Sequence, residues 1–177
     1  MYQRILVPVD GSETSILGMD EAIRLAQATG ARLRFLHAMD ELSVAMAMDA
    51  YGGYVGDLHG ALHENATEML EGAKASASAA GVQADAVLHD SFHDKIADVV
   101  SAQARQWPAD LIVVGSHGRR GMRRLVLGSG AEAILRTAPV PVLLVRARPR
   151  PGDAAATAEH VHVHVHVSLP SAALSIE

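Results

Sequence analysis

Asp110-Leu111-Ile112-Val113-Val114-Gly115-Ser116-His117-Gly118 reads as a buried strand running straight into a glycine-bearing turn, and nine residues after Gly118 the chain reaches Gly128-Ser129. Four consecutive apolar residues without a polar interruption suit a strand covered on both faces, as in a parallel sheet. A helix expected over Ser129–Thr137 then places the glycines between the carboxyl end of a strand and a helix N-terminus. Open α/β sheets bind their ligands at that kind of junction.

Outward from this stretch, short Ile, Val and Leu runs alternate with segments of helical spacing, which predicts a parallel sheet layered with helices. Residues 5–9 form the first strand. Asp10-Gly11-Ser12 turns it into a helix expected to bury Ile16, Met19, Ile23 and Ala26 and to stop at Gly30. The second strand covers 33–38, and 39–56, rich in Met and Gly without a period, is expected to be a long mobile connection. Leu58, Leu62, Ala66, Met69 and Ala73 mark the buried face of a helix ending before Gly81, followed by a weaker strand over 82–88. Ile96, Val99 and Val100 point inward from a third helix that ends near Trp107-Pro108. The last strand spans 140–145, and Pro139 and Pro141 push it toward a sheet edge or an interface.

Composition bounds the rest. A chain of 177 residues, 49% of them hydrophobic, holds one well-buried core, so one domain over 1–147 and a tail over 148–177 are expected. The tail begins as a Pro- and Ala-rich linker. Within it His160, His162, His164 and His166 alternate with valines, so an extended backbone sets imidazoles on one face and valines on the other. A disordered or surface-lying tail is favoured over a metal site. Pairing with a sheet edge, its own or a partner's, is the third option.

The net charge of -5 gives no basic surface for nucleic acid. Arg119, Arg120, Arg123 and Arg124 instead crowd into one loop, where a local anion site fits better. With no cysteine there is neither a disulfide nor a thiolate metal site. The first apolar run is too short for a signal-peptide core, and none approaches the roughly 20 residues of a membrane span. A cytoplasmic location without membrane insertion is expected.

The chemistry converges on phosphate. Glycines at a strand's carboxyl end let backbone N–H groups approach an oxyanion, and the dipole of the following helix favours negative charge there. Ser129 is read as a capping hydroxyl at that terminus, with the arginine loop supplying positive charge. There is no G-x-x-x-x-G-K-[ST] sequence, and Gly128-Ser129-Gly130-Ala131-Glu132-Ala133 matches a dinucleotide fingerprint by letter without the strand that should precede it.

This arrangement resembles the universal stress protein family, whose ATP-binding members carry G-x-x-G, nine residues and G-[ST] after the fourth strand. Gly115, Gly118, Gly128 and Ser129 match without a gap. The likeness extends to residues 5–12, to Leu36-His37-Ala38-Met39-Asp40 and to 140–145. It implies a three-layer α/β/α fold with a five-stranded parallel sheet in the order 3-2-1-4-5, adenine nucleotide alpha hydrolase-like, and a homodimer through the last strand. It further implies ATP or AMP at the switch point between strands 1 and 4, with Mg or Mn accompanying ATP. Pro8, Val9 and Ala38 would then meet adenine and ribose by their backbone, and Asp10 the ribose or a metal. Gly115, Ser116, Gly118, Arg119, Gly128, Ser129 and Gly130 would surround the phosphates. Ala38 stands where a larger Val is common, which leaves nucleotide preference open.

The likeness favours a nucleotide-dependent regulatory module acting on a partner protein in stress response. The alternative is a slow metal-dependent ATP hydrolase using Asp10 and Arg119. Asp10 also suits a plain helix cap. His59 and His63 are read as a solvated helix face rather than metal ligands, because the glutamate of H-E-x-x-H is missing. His117 is assigned no catalytic role, and Trp107 is read as packing rather than stacking a flavin.

Overall fold

The computed structural model describes residues 1–39, 58–91, 93–116 and 127–147, and the backbone of 165–166. Within them the chain runs β1 (Arg4–Pro8), α1 (Glu13–Thr29), β2 (Arg32–Ala38), α2 (Leu58–Ala79), β3 (Ala84–His89), α3 (Ile96–Gln106), β4 (Leu111–Gly115), α4 (Ser129–Thr137), β5 (Val142–Val145) and β6 (Val165–His166). The expected connection over 40–57 lies outside the described residues.

The strands order β3-β2-β1-β4-β5-β6. The first five are parallel in the expected 3-2-1-4-5 arrangement, while β6 pairs antiparallel with β5, Val142 opposite His166 and Leu143 opposite Val165. This sixth strand lies inside the alternating His/Val row and takes up the outer edge of β5. Ile112 N–H donates to Pro141 O and Ser116 N–H to Val145 O, so odd-numbered residues of this segment turn their backbone groups to β4. Alternation leaves those of Val142 and Leu144 for the outer edge.

Side-chain alternation along the strands feeds two cores. Ile5, Val7, Leu33, Phe35, Leu111 and Val113 pack with α1 and α2 on one face. Leu6, Leu36, Ile112, Val114 and Val142 pack with α3 and α4 on the other. The periodic reading of α2 and α3 matches this burial: Ala66, Ala73, Val99 and Val100 are interior. Trp107 caps the C-terminus of α3 and packs against the second core, with the Arg34 guanidinium 4.8 Å from its ring centre.

The reading of α1 needs correction at Ile16, which is 48% exposed. The contact face is instead built from Ser15, Gly18, Ala22 and Ala26 with Ile23. The cause is proximity. A Cβ on Gly18 would stand 3.4 Å from Gly115 N, and one on Gly115 would stand 2.6 Å from the carbonyl carbon and oxygen of Thr14. A helix lying that close to a strand takes small residues at the crossing, and the apolar period rotates away from Ile16.

Candidate functional site

The sheet order itself locates the candidate site. Chain connections leave β1 toward β2 and β4 toward β5, in opposite directions, so a crevice opens at the carboxyl ends of β1 and β4. Pro8, Val9 and Asp10 lie at one wall and Gly115 and Ser116 at the other.

The β1 wall is stiffened by short polar contacts. Asp10 Oδ1 accepts the N–H of Ser12 at 2.9 Å, and the N–H of Asp10 donates to Ser15 Oγ at 3.1 Å. Ser12 is the N-cap of α1 and its hydroxyl accepts the N–H of Ser15 at 3.2 Å. Gly11 between them has φ 78°, a left-handed value that a side chain would strain. Asp10 is therefore not the cap of α1. It fastens the turn before the cap, with its carboxylate half-buried at the crevice.

At the β4 wall, Ser116 N–H continues the ladder to Val145 O at 2.8 Å, and Ser116 O accepts the N–H of Gly128 at 2.9 Å. The chain that leaves after Ser116 thus returns to the same point, which brings the two halves of the glycine pattern together. Gly118 and Arg119, like His117 and the other loop arginines, lie outside the described residues.

Two expectations change here. The N-cap of α4 is Gly128, at φ -62° and ψ 143°, and Ser129 is the first helical residue rather than the capping hydroxyl. Gly128 as the cap offers no side-chain acceptor to the first N–H groups of α4, which start beside the carboxyl end of β4. Gly115 carries a constraint the sequence reading did not include: a Cβ there would meet the first turn of α1. Gly130 faces α3, where a Cβ would meet Ile96 at an ordinary 3.5 Å.

Ala38 lies at the end of β2 beside β1, as the resemblance implied. Its neighbour His37 was missed. This imidazole is 3% exposed, and its Nδ1–H donates to Val9 O at 2.7 Å. The signal was available, since Leu33, Phe35 and His37 alternate onto one face and a histidine in a core position calls for a partner.

Away from the crevice, His59 and His63 stack with ring centres 6.4 Å apart beside a shallow groove, and His59 Nε2 lies 3.1 Å from Asp90. Among the described residues no group of three His, Cys, Asp or Glu side chains could hold a metal ion. His89 Nε2–H donates to Asp94 at 2.7 Å, and that bond, with lesser help from Ser91 and from the charges of His89 and His93, holds the Asp94 carboxyl below its ordinary value. Among the described residues no helix is long and apolar enough to cross a membrane.

The sequence and fold agree with known proteins. The model of the universal stress protein family matches residues 1–146. A universal stress protein of Methanocaldococcus jannaschii is 31% identical over 144 residues, 80% of each chain. A solved protein of that family from Burkholderia pseudomallei is 31% identical with a TM-score of 0.63, covering 82% of this chain and 97% of its own. A universal stress protein solved in complex with cAMP is 25% identical, TM-score 0.57, covering 82% of this chain and 97% of its own. One from Archaeoglobus fulgidus, in complex with dAMP, is 22% identical with a TM-score of 0.59 over 81% of this chain and 98% of its own, a likeness of fold.

Proposed function

The chain belongs to the universal stress protein family, and we propose that it is a regulatory module that binds ATP or AMP in the crevice between β1 and β4. The observation that carries this reading is the glycine-capped N-terminus of α4, held at the crevice by the bond between Gly128 N–H and Ser116 O. The backbone N–H groups and the helix dipole at such a terminus favour a phosphate. Relatives solved with cAMP and dAMP support an adenine nucleotide.

In this reading the phosphates lie against Gly115, Ser116, Gly128, Ser129 and Gly130, with Gly118 and Arg119 contributed by the intervening loop. Adenine and ribose lie toward Pro8, Val9, Asp10 and Ala38. Mg or Mn enters with ATP, held by phosphate and water, with Asp10 as the carboxylate nearest to hand. One oxygen of Asp10 already serves the turn, so the residue suits positioning better than water activation, which favours a binding module over a hydrolase. The module works in the cytoplasm through contacts with a partner protein in stress response. The homodimer implied by the resemblance uses the edge that β6 takes up, so two copies pair through β5 once residues 165–166 leave it.

The test is calorimetry on Gly128→Val. Its backbone angles suit any residue, so the variant should fold, while its side chain intrudes where the phosphate meets the helix end. Loss of ATP affinity by at least tenfold is expected. Undiminished affinity in the folded variant would remove the phosphate from α4.

A further inference from the structure

Hydrogen-bond direction along β2 is fixed by its neighbours. Arg32 N–H donates to Gln3 O and Leu36 O accepts from Val9 N–H, so even-numbered residues turn their backbone groups toward β1. Leu33 N–H donates to Gln83 O and Met39 N–H to His89 O, so odd-numbered residues turn theirs toward β3. By this alternation the N–H and C=O of Ala38 face β1.

In a parallel ladder carried one step further, Ala38 N–H would donate to Val9 O. The pairing of β1 with β2 instead ends at Pro8 and Leu36, and the Val9 carbonyl accepts from the buried His37 ring. A carbonyl only accepts, so Nδ1 carries the proton. The imidazole has replaced the next rung of the ladder, and β2 stays with β3, where Ala38 lies opposite His89.

We propose that His37 is a positioning residue that holds β1 and β2 apart beyond Pro8, keeping the N–H and C=O of Ala38 available as an adenine-selective edge. This rests on the nucleotide reading above. An extended residue presents its N–H and C=O side by side, a donor next to an acceptor. Adenine offers the complement, N1 as acceptor next to the N6 amino donor. Hypoxanthine reverses both, with an N1–H donor beside an O6 acceptor, so it meets like against like. A paired contact of this kind discriminates between bases by roughly 5- to 150-fold. Selectivity then comes from backbone, which explains how a residue as small as Ala38 serves.

The experiment measures ATP and ITP affinities by calorimetry for the full chain, His37→Leu and His37→Asn, with circular dichroism to verify folding. Asparagine places an amide N–H near the position of Nδ1. The wild-type chain should prefer ATP at least fivefold. His37→Leu should bring the ratio close to one as Ala38 N–H closes onto Val9 O, and His37→Asn should restore the preference. A folded His37→Leu that keeps the wild-type ratio overturns the proposal, as does an asparagine variant no better than leucine.

Amide hydrogen exchange on the unaltered protein supplies an arm that needs no variant. The Ala38 amide should exchange freely without ligand and become protected by ATP but not by tripolyphosphate. Protection already present without ligand refutes the role of His37 even if ATP binds. Free exchange in a protein that binds no adenine nucleotide refutes the functional reading and, with it, the adenine edge, while leaving the His37 geometry in place.

Discussion

Alanine at Gly115 would place a methyl group 2.6 Å from the carbonyl carbon and oxygen of Thr14 and 2.9 Å from Ser15 N. Non-bonded carbons are comfortable at about 3.5–4.0 Å, so α1 must retreat from β4 by about 1 Å. The atoms in the way are backbone, and their turn is tied by Ser12 and Asp10, so no side chain can swing aside. Overpacking costs about 1–3 kcal/mol. A backbone obstacle argues for about 3, which for a domain of about 150 residues lowers the melting temperature by roughly 6–12 °C. Gly18→Ala is the control across the same contact. Its Cβ would be 3.4 Å from Gly115 N, and alanine gains about 0.5–1 kcal/mol over glycine within a helix, so the two effects nearly cancel. Neither glycine has a positive φ, so the comparison isolates the clash. Thermal melts of both variants without nucleotide decide it. A Gly115→Ala protein melting within about 2 °C of the unaltered chain would refute the packing argument.

The other expectations can be tested singly. Asp94 should titrate below the ordinary carboxylate value of about 3.9, and His89→Ala should raise its NMR midpoint, because the bond from His89 is the main cause of the depression. Since the folded value is the lower one, this contact stabilises above the unfolded value and is lost as pH falls through the folded value. An unmoved midpoint in His89→Ala would reject that cause. At the β5 edge, the backbone groups of Val142 face outward opposite His166, so His166→Pro removes an N–H directed at β5, whereas at Val165 the lost N–H points away. Hydrogen exchange at the Val142 amide should therefore quicken in His166→Pro and stay near wild type in Val165→Pro. Equal behaviour of the two would discard the register.

Much of the architecture was legible because parallel strands covered on both faces write themselves as unbroken apolar runs, of which 111–114 is the clearest. The buried faces of α2 and α3 were likewise written in their period. Ile16 misled because the period says which residues could be buried, whereas the closeness of α1 to β4 decides which fit, and that closeness depends on Gly18 and Gly115, far apart in the sequence. Gly115 fits a phosphate pattern and also a packing one, since a side chain there would meet the backbone of Thr14 and Ser15, and the pattern by itself does not reveal that second constraint. His37 escaped attention because a single polar residue in an apolar run carries no spacing. Its partner, the Val9 carbonyl, has no signature of its own in the sequence. The pairing of 165–166 with β5 depends on a register that alternation alone cannot specify, since it fits several.

Two helix N-termini reach the crevice, and the contrast between them argues which one receives the phosphate. At α1, Ser12 accepts the Ser15 N–H and Asp10 accepts the N–H of Ser12, so donors that could meet an anion are already engaged and a carboxylate stands beside them. An incoming phosphate there would displace protein acceptors and face a like charge. At α4 the cap is a glycine, whose side chain offers no acceptor to displace, and the sequence before it carries the arginines. The same elementary device, a strand turning into a helix, has been closed on one side and left open on the other. In the proposed reading Asp10 then lies toward the sugar and the phosphate toward Gly128. A nucleotide placed in the opposite sense would bring its negative end to the only carboxylate assigned to the crevice, so the polarity follows from electrostatics as well as from the order of the strands.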